Sequence, residues 1–219
     1  MRVLVTGAGG FIGRVLVRRL LEEGLAGRRL LQLIAADLSL ARLPEDKRVQ
    51  SLEASIAEPG VLEQALAEPL DAVFHLASMP GGAAEEAPDL GRRINLDATA
   101  RLLSLLRDHG TRPRLVFAST VAVYGHPLPA VVDEHTPARP VTSYGAHKLA
   151  AEVLVADAAR RGWADACSLR LPGVVARPGD GAGLVSAFMS QLFWKLAAGE
   201  PIVLPVSAEG TCWWISVAA

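Results

Sequence analysis

The stretch "VLVTGAGGFIGRVLV" constrains the fold more than any other part of this chain. Gly7, Gly10 and Gly13 stand three apart between a short apolar run and an amphipathic one. That pattern reads as a strand, a tight turn and a helix. Gly7 permits the turn, Gly10 lets backbone approach a diphosphate, and Gly13 lets helix and sheet pack closely. The amides that open the helix, Phe11 and Ile12 among them, then face the phosphates. The next apolar run, "LLQLIAAD", ends in Asp37, 24 residues after Gly13. A carboxylate there accepts hydrogen bonds from both hydroxyls of an adenosine ribose and repels a 2′-phosphate, so the expected cofactor is NAD.

Beyond this unit, short apolar runs alternate with helical patterns. Strands are predicted at Arg2 to Val5, Leu30 to Ala36, Val49 to Glu53, Ala72 to Leu76, Arg114 to Ala118 and Ala166 to Leu171. Helices are predicted at Phe11 to Glu23, Gly60 to Ala67, Leu90 to Asp108 and Ser143 to Arg161. Such alternation implies an α/β fold with a doubly wound parallel sheet, the Rossmann arrangement. After Leu171 the composition changes. "PGVVARPGDGAG" reads as a Pro/Gly-rich loop, followed by a helix at Leu184 to Ala198 and a strand at Ile202 to Leu204. The expected division is an NAD-binding domain over residues 1–171 and part of a substrate-binding region over 172–219. The apolar ending "TCWWISVAA" predicts a truncated chain, because termini are normally solvated.

With 219 residues and 51% hydrophobic content, the chain can bury a substantial core. A net charge of −1 without a basic block gives no reason to expect a nucleic-acid partner. Cys167 and Cys212 make no disulfide framework, and no His/Cys cluster suggests a metal, which points to a reducing, cytoplasmic setting. The uncharged run from Leu115 to Val132 is broken by Gly125, Pro127 and Pro129. That from Gly181 to Trp194 is shorter than the roughly 20 residues a bilayer needs, so no membrane association is expected.

The chemistry centres on "SYGAHKLAAEVL". Tyr144 stands four residues before Lys148, one of only three lysines in the chain. On a helix these positions share a face, so phenol and ammonium can approach one reacting atom. A phenol working as a base near pH 7 must lose about three pKa units, roughly 4 kcal/mol, and the Lys148 ammonium is expected to supply part of that. The planar fork of an arginine would fit this helical neighbour and a ribose diol less well.

Taken together, these residues resemble the extended short-chain dehydrogenase/reductases of the epimerase/dehydratase superfamily. "HLAS" looks like that family's fourth-strand motif, implying cofactor contacts at Leu76, Ala77 and Ser78. Asn95 in "INLDAT" matches its helical asparagine, and "FASTVAVYG" its alcohol-bearing segment, with Thr120 as the catalytic alcohol and Ser119 beside it. Where many relatives carry an aspartate to meet adenine, this chain offers Ser55. After the sixth strand, Pro172 and Val174 are expected beside the cofactor. Pro172 stands where nucleotide-sugar epimerases usually present asparagine, which counts against a nucleotide sugar. Within the superfamily the chain is similar to the D-erythronate dehydrogenase-like group. The resemblance implies a homodimer and an NAD-dependent dehydrogenase acting on a small sugar acid. A sugar epimerase or dehydratase, and a catalytically silent NAD-binding module, are the competing readings.

Four further expectations come from the residues themselves. His75 reads as a satisfied core histidine, and Tyr124 as either a packing residue or a contact near the cofactor. Arg177 is a candidate to pair with a substrate carboxylate. Leu102, Leu103, Leu105 and Leu106 suggest a helix with more than one apolar face, one of them left for a partner subunit.

Overall fold

The computed structural model describes residues 1–179, 186–207 and 209–219. In chain order it contains β1 (Arg2–Thr6), α1 (Phe11–Glu23), β2 (Gln32–Asp37), β3 (Val49–Glu53), α2 (Val61–Ala65), β4 (Ala72–His75), α3 (Gly81–Glu86) and α4 (Pro88–Arg92). A π-helical turn (Arg93–Asp97) leads into α5 (Ala98–His109). Then come β5 (Arg114–Thr120), a 3-10 turn (Val121–Val123), α6 (Ser143–Arg160), β6 (Asp165–Leu171), β7 (Gly173–Val175), α7 (Phe188–Ala198) and β8 (Trp214–Ser216). Six strands form one sheet in the order β3-β2-β1-β4-β5-β6, every pairing parallel. The chain runs outward from β1 in both directions, so a crevice opens at the carboxyl ends of β1 and β4.

Strand alternation sorts the core into two layers. Val3, Val5, Leu33 and Ala35 point to one face, where Val17 and Leu20 of α1 cover them. Leu4, Ile34, Ala36 and Phe117 point to the other, against α5 and α6. Leu102, Leu103, Leu105 and Leu106 all belong to that second layer and are at most 9% exposed. The expectation that they present a second, uncovered face is therefore wrong. At 100° per residue they span a single arc of about 160°, which the sheet, α2 and α6 cover together.

Two corrections concern the C-terminal segment. The predicted loop after Leu171 contains β7, which pairs in parallel with β8 as a separate small sheet. The predicted strand at Ile202 to Leu204 does not form. Pro201 and Pro205 flank it without amide donors, and Val203 is 93% exposed, with no strand paired to it among the described residues. The predicted start of the helix at Leu184 lies outside the described residues; the helix is seen from Phe188. Among the described residues no helix is long and apolar enough to cross a membrane.

Candidate active site

The glycines of the first loop answer to different demands. A Cβ at Gly7 would lie 2.6 Å from the Ala77 amide, and φ there is +72°. A Cβ at Gly13 would lie 2.1 Å from the Gly7 carbonyl. The fold itself requires both to be glycine. At Gly10 an added Cβ meets only the Gly7 carbonyl at 3.2 Å, which a small shift relieves. The space above Gly10 is thus open, as a bound diphosphate requires, and the loop fits a dinucleotide. Gly9, which the spacing argument passed over, is as constrained: its Cβ would lie 1.9 Å from the Ser39 carbonyl. Its amide donates to Asp37 Oδ2 at 2.9 Å, while Oδ1 accepts the Leu38 amide at 2.7 Å. Asp37 is therefore locked to the loop at the tip of β2, where an adenosine ribose would reach it. Ser55, past the tip of β3, accepts the Ala57 amide at 3.2 Å.

The loop after β4 abuts this turn. Ala77 donates its amide to Thr6 Oγ1 at 3.2 Å. Thr6 Oγ1 lies 2.7 Å from His75 Nδ1, and His75 Nε2 lies 2.9 Å from Thr99 Oγ1. Thr99 in turn donates to the Asn95 carbonyl at 3.0 Å. One proton arrangement satisfies this chain: Thr6 donates to Nδ1, and Nε2–H donates to Thr99. Burial, helped by the charge of Lys148, lowers the His75 pKa to about 3, so the ring is neutral. His75 is a core histidine with both nitrogens partnered.

Asn95 sits in the π-helical turn, the kind of local widening that often marks functional sites. Its Oδ1 accepts from the Met79 amide at 2.7 Å and from Ser78 Oγ at 3.2 Å, and its Nδ2 donates to the Met79 carbonyl at 3.0 Å. These bonds fix the backbone that carries Ser78. Asn95 thus acts on the site through the 78–79 loop.

Tyr144 enters at the start of α6. Thr142 caps that helix, accepting the Gly145 amide at 3.1 Å. A Cβ at Gly145 would lie 2.6 Å from the Ala122 carbonyl, so only glycine lets α6 approach the 3-10 turn after β5 this closely. The Tyr144 hydroxyl consequently meets the side chains of Ser78 and Thr120. Burial raises its pKa, opposed by those two hydrogen bonds and by the positive charge of Arg177. Lys148 is fully buried and donates from Nζ to the Ala118 carbonyl at 2.9 Å, with burial lowering its pKa to about 7. Lys148 is not among the groups that shift the phenol in the chain. The ammonium faces a backbone carbonyl, and desolvation outweighs the opposing contacts at the phenol.

The two candidate alcohols part company here. Thr120 lies beside Tyr144 and accepts the Ala122 amide at 3.1 Å, which leaves its proton to donate. Ser119, on the opposite face of β5, donates to Glu152. Glu152 stands one turn beyond Lys148 and pairs with Arg170, whose Nη2 donates at 2.7 Å. Arg170 also donates to the Tyr124 hydroxyl at 3.0 Å. Glu152 and Arg170 were missed in the sequence, although a carboxylate four residues past a buried lysine is a visible signal. Pro172 follows Leu171, the partner of Thr120 in the sheet, and Val174 pairs with Ile215 in the small sheet.

With this geometry in view, the comparisons are decisive. The profile of the NAD dependent epimerase/dehydratase family matches residues 3–217. The chain belongs to this family. Among epimerase/dehydratase proteins it is similar to the D-erythronate dehydrogenase of Cupriavidus necator, with 40% identity over 99% of this chain and 68% of that protein. The D-erythronate dehydrogenase of Haemophilus influenzae is 34% identical over 97% of this chain and 67% of that protein. A solved structure of the nucleoside-diphosphate-sugar epimerase from Agrobacterium tumefaciens superposes with a TM-score of 0.91 at 34% identity, covering 100% of this chain and 66% of that one. The chain thus spans about two thirds of the length of these relatives.

Proposed function

We propose that the chain belongs to an NAD-dependent dehydrogenase that oxidises a secondary hydroxyl of a small sugar acid of the D-erythronate kind. The carrying observation is the half-buried Tyr144 phenol beside Ser78 and Thr120, one helical turn before the fully buried Lys148. The 40% identity with a D-erythronate dehydrogenase supports the substrate class. An oxidised nicotinamide, when bound, supplies the hydride acceptor and a positive charge. Tyr144 takes the proton from the substrate hydroxyl, and Thr120 donates to the same oxygen and fixes its direction. Lys148 holds the end of β5 through Ala118 and, when protonated, keeps positive charge below the phenol.

A second reading, epimerisation of a nucleotide sugar, is favoured by the high TM-score with the Agrobacterium protein. Absorbance at the NADH band separates the two. Four- to six-carbon sugar acids should generate NADH from NAD, whereas an epimerised nucleotide sugar without net NADH would remove the dehydrogenase reading. We also propose a homodimer through α6, where Val153 and Leu154 are 63% and 38% exposed. A single monomeric species in sedimentation at micromolar concentration would exclude that assembly.

A further inference from the structure

Arg177 follows β7, and its backbone is pinned to α7 at two points. Its amide donates to Ser190 Oγ at 2.9 Å, and its carbonyl accepts from Trp194 Nε1 at 2.8 Å. Held there, its guanidinium carbon lies 5.1 Å from the centre of the Phe11 ring. Phe11 is the first residue of α1, the helix whose amides open onto the glycine cradle. Arg14, in the same first turn, donates from Nε to the Gly10 carbonyl at 3.3 Å, which keeps its guanidinium beside the loop. Arg14 and Tyr144 are the charged and titratable groups that act on Arg177.

The local charge is one-sided. The N-cap of α1 is Gly10, which offers no side chain, and the first turn holds no acidic residue. The unpaired amides of that end carry positive potential. Among the described residues, neither Arg14 nor Arg177 is paired with a carboxylate. Burial, and then Arg14, lower the Arg177 pKa, so the site tolerates this second cation at some cost. An anion between them is attracted to both guanidiniums and to the helix end, which offsets their mutual repulsion.

We propose that Arg177 and Arg14 form a clamp over the glycine loop that receives the diphosphate of the bound dinucleotide, with α7 holding Arg177 in place. This rests on the reading of the loop as a dinucleotide site, and it moves Arg177 from substrate recognition to cofactor recognition. Two guanidiniums and a helix N-terminus suit a doubly charged group, whereas a sugar-acid carboxylate would balance one guanidinium. The contact with Phe11 places Arg177 beside the first turn of α1, within electrostatic reach of Tyr144. The clamp also joins the segment after β6 to the first helix of the sheet domain, so cofactor binding and the seating of α7 reinforce each other.

Titration calorimetry with ADP-ribose and with AMP tests the clamp without any turnover. ADP-ribose carries the diphosphate and no nicotinamide; AMP lacks the diphosphate. Arg177→Met should weaken ADP-ribose about tenfold or more and AMP, which offers the clamp a single phosphate, by a smaller factor. Arg14→Met should act in the same direction. Arg177→Lys should recover only part of the loss, because an ammonium cannot form the two-pronged contact. Ser190→Ala, which leaves every charge in place, should weaken ADP-ribose by loosening the strap. Unchanged ADP-ribose affinity in Arg177→Met, with a raised KM for the sugar acid, would overturn the clamp and leave the proposed reaction standing. Selective loss of ADP-ribose affinity in a protein that makes no NADH from any sugar acid would support the clamp and remove the reaction. An unmodified chain that binds neither nucleotide would overturn both.

Discussion

Lys148 delivers its ammonium to the Ala118 carbonyl at 2.9 Å from a fully buried position, and burial alone accounts for its lowered pKa. This has a consequence for stability. A lysine whose folded pKa falls from 10.5 to about 7 binds a proton less readily in the folded chain than in the unfolded one. Stability therefore rises with pH between about 7 and the ordinary lysine range. The Tyr144 phenol, raised by burial, acts in the opposite direction only above the ordinary tyrosine range. Lys148→Met should accordingly melt higher than the unmodified chain near neutral pH, and the gap should narrow steadily as pH rises towards the ordinary lysine range. Thermal melts of both cofactor-free proteins across this window check it. A gap independent of pH would mean that Lys148 is not the titrating group.

Tyr144→Phe removes the proton acceptor and leaves the glycine cradle intact. Turnover with a sugar acid should fall by about 10²–10⁴-fold, while NAD affinity stays within about twofold. Single-turnover absorbance for NADH and a fluorescence titration of NAD measure the two separately. A variant that keeps a tenth of its turnover would show that the phenol is not the base.

Thr120 and Ser119 are neighbours in sequence with separate partners in space. Thr120→Ala should lower kcat by about a hundredfold with little change in melting temperature, since it removes a donor aimed at the substrate oxygen. Ser119→Ala takes one donor from Glu152, which keeps its pairing with Arg170. It should cost about 1–2 kcal/mol of stability and leave kcat within about threefold. Denaturant unfolding combined with steady-state kinetics on both variants distinguishes the roles. The reverse pattern would return the catalytic alcohol to Ser119.

The glycine triad, Asp37 and the tyrosine–lysine spacing were legible because each depends on local geometry that the chain encodes within a few residues. Helix α1 and strand β3 fall where their patterns place them, for the same reason. The Ser119–Glu152–Arg170–Tyr124 network was not legible, since it joins β5, α6 and β6 and exists only once the sheet order is known. The small sheet was hidden too: β7 is three residues long and its partner β8 lies some forty residues on, so neither shows a period. The leucines of α5 misled in another way. A broad apolar arc and two opposed faces look alike until the neighbours are placed, and here the sheet, α2 and α6 cover the arc. Arg177 was picked out for its charge, but its direction is set by Ser190 and Trp194, which no local pattern connects to it.

The last prediction concerns the choice between NAD and NADP. Asp37 holds the Gly9 amide with Oδ2 and the Leu38 amide with Oδ1, so its carboxylate cannot swing away from the loop without giving up both bonds. A ribose 2′-phosphate would meet this fixed negative charge, whereas a 2′-hydroxyl can donate to it. NAD should therefore bind more tightly than NADP by at least about tenfold, equivalent to about 1.4 kcal/mol. Asp37→Asn keeps an oxygen for one amide and removes the charge. It should raise NADP affinity more than it lowers NAD affinity, narrowing the preference. Intrinsic fluorescence from the four tryptophans reports both titrations. Arg42, exposed a few residues beyond Asp37, provides the control: Arg42→Ala should leave the ratio unchanged if the carboxylate sets it. Tighter binding of NADP by the unmodified chain would show that Asp37 does not decide the cofactor.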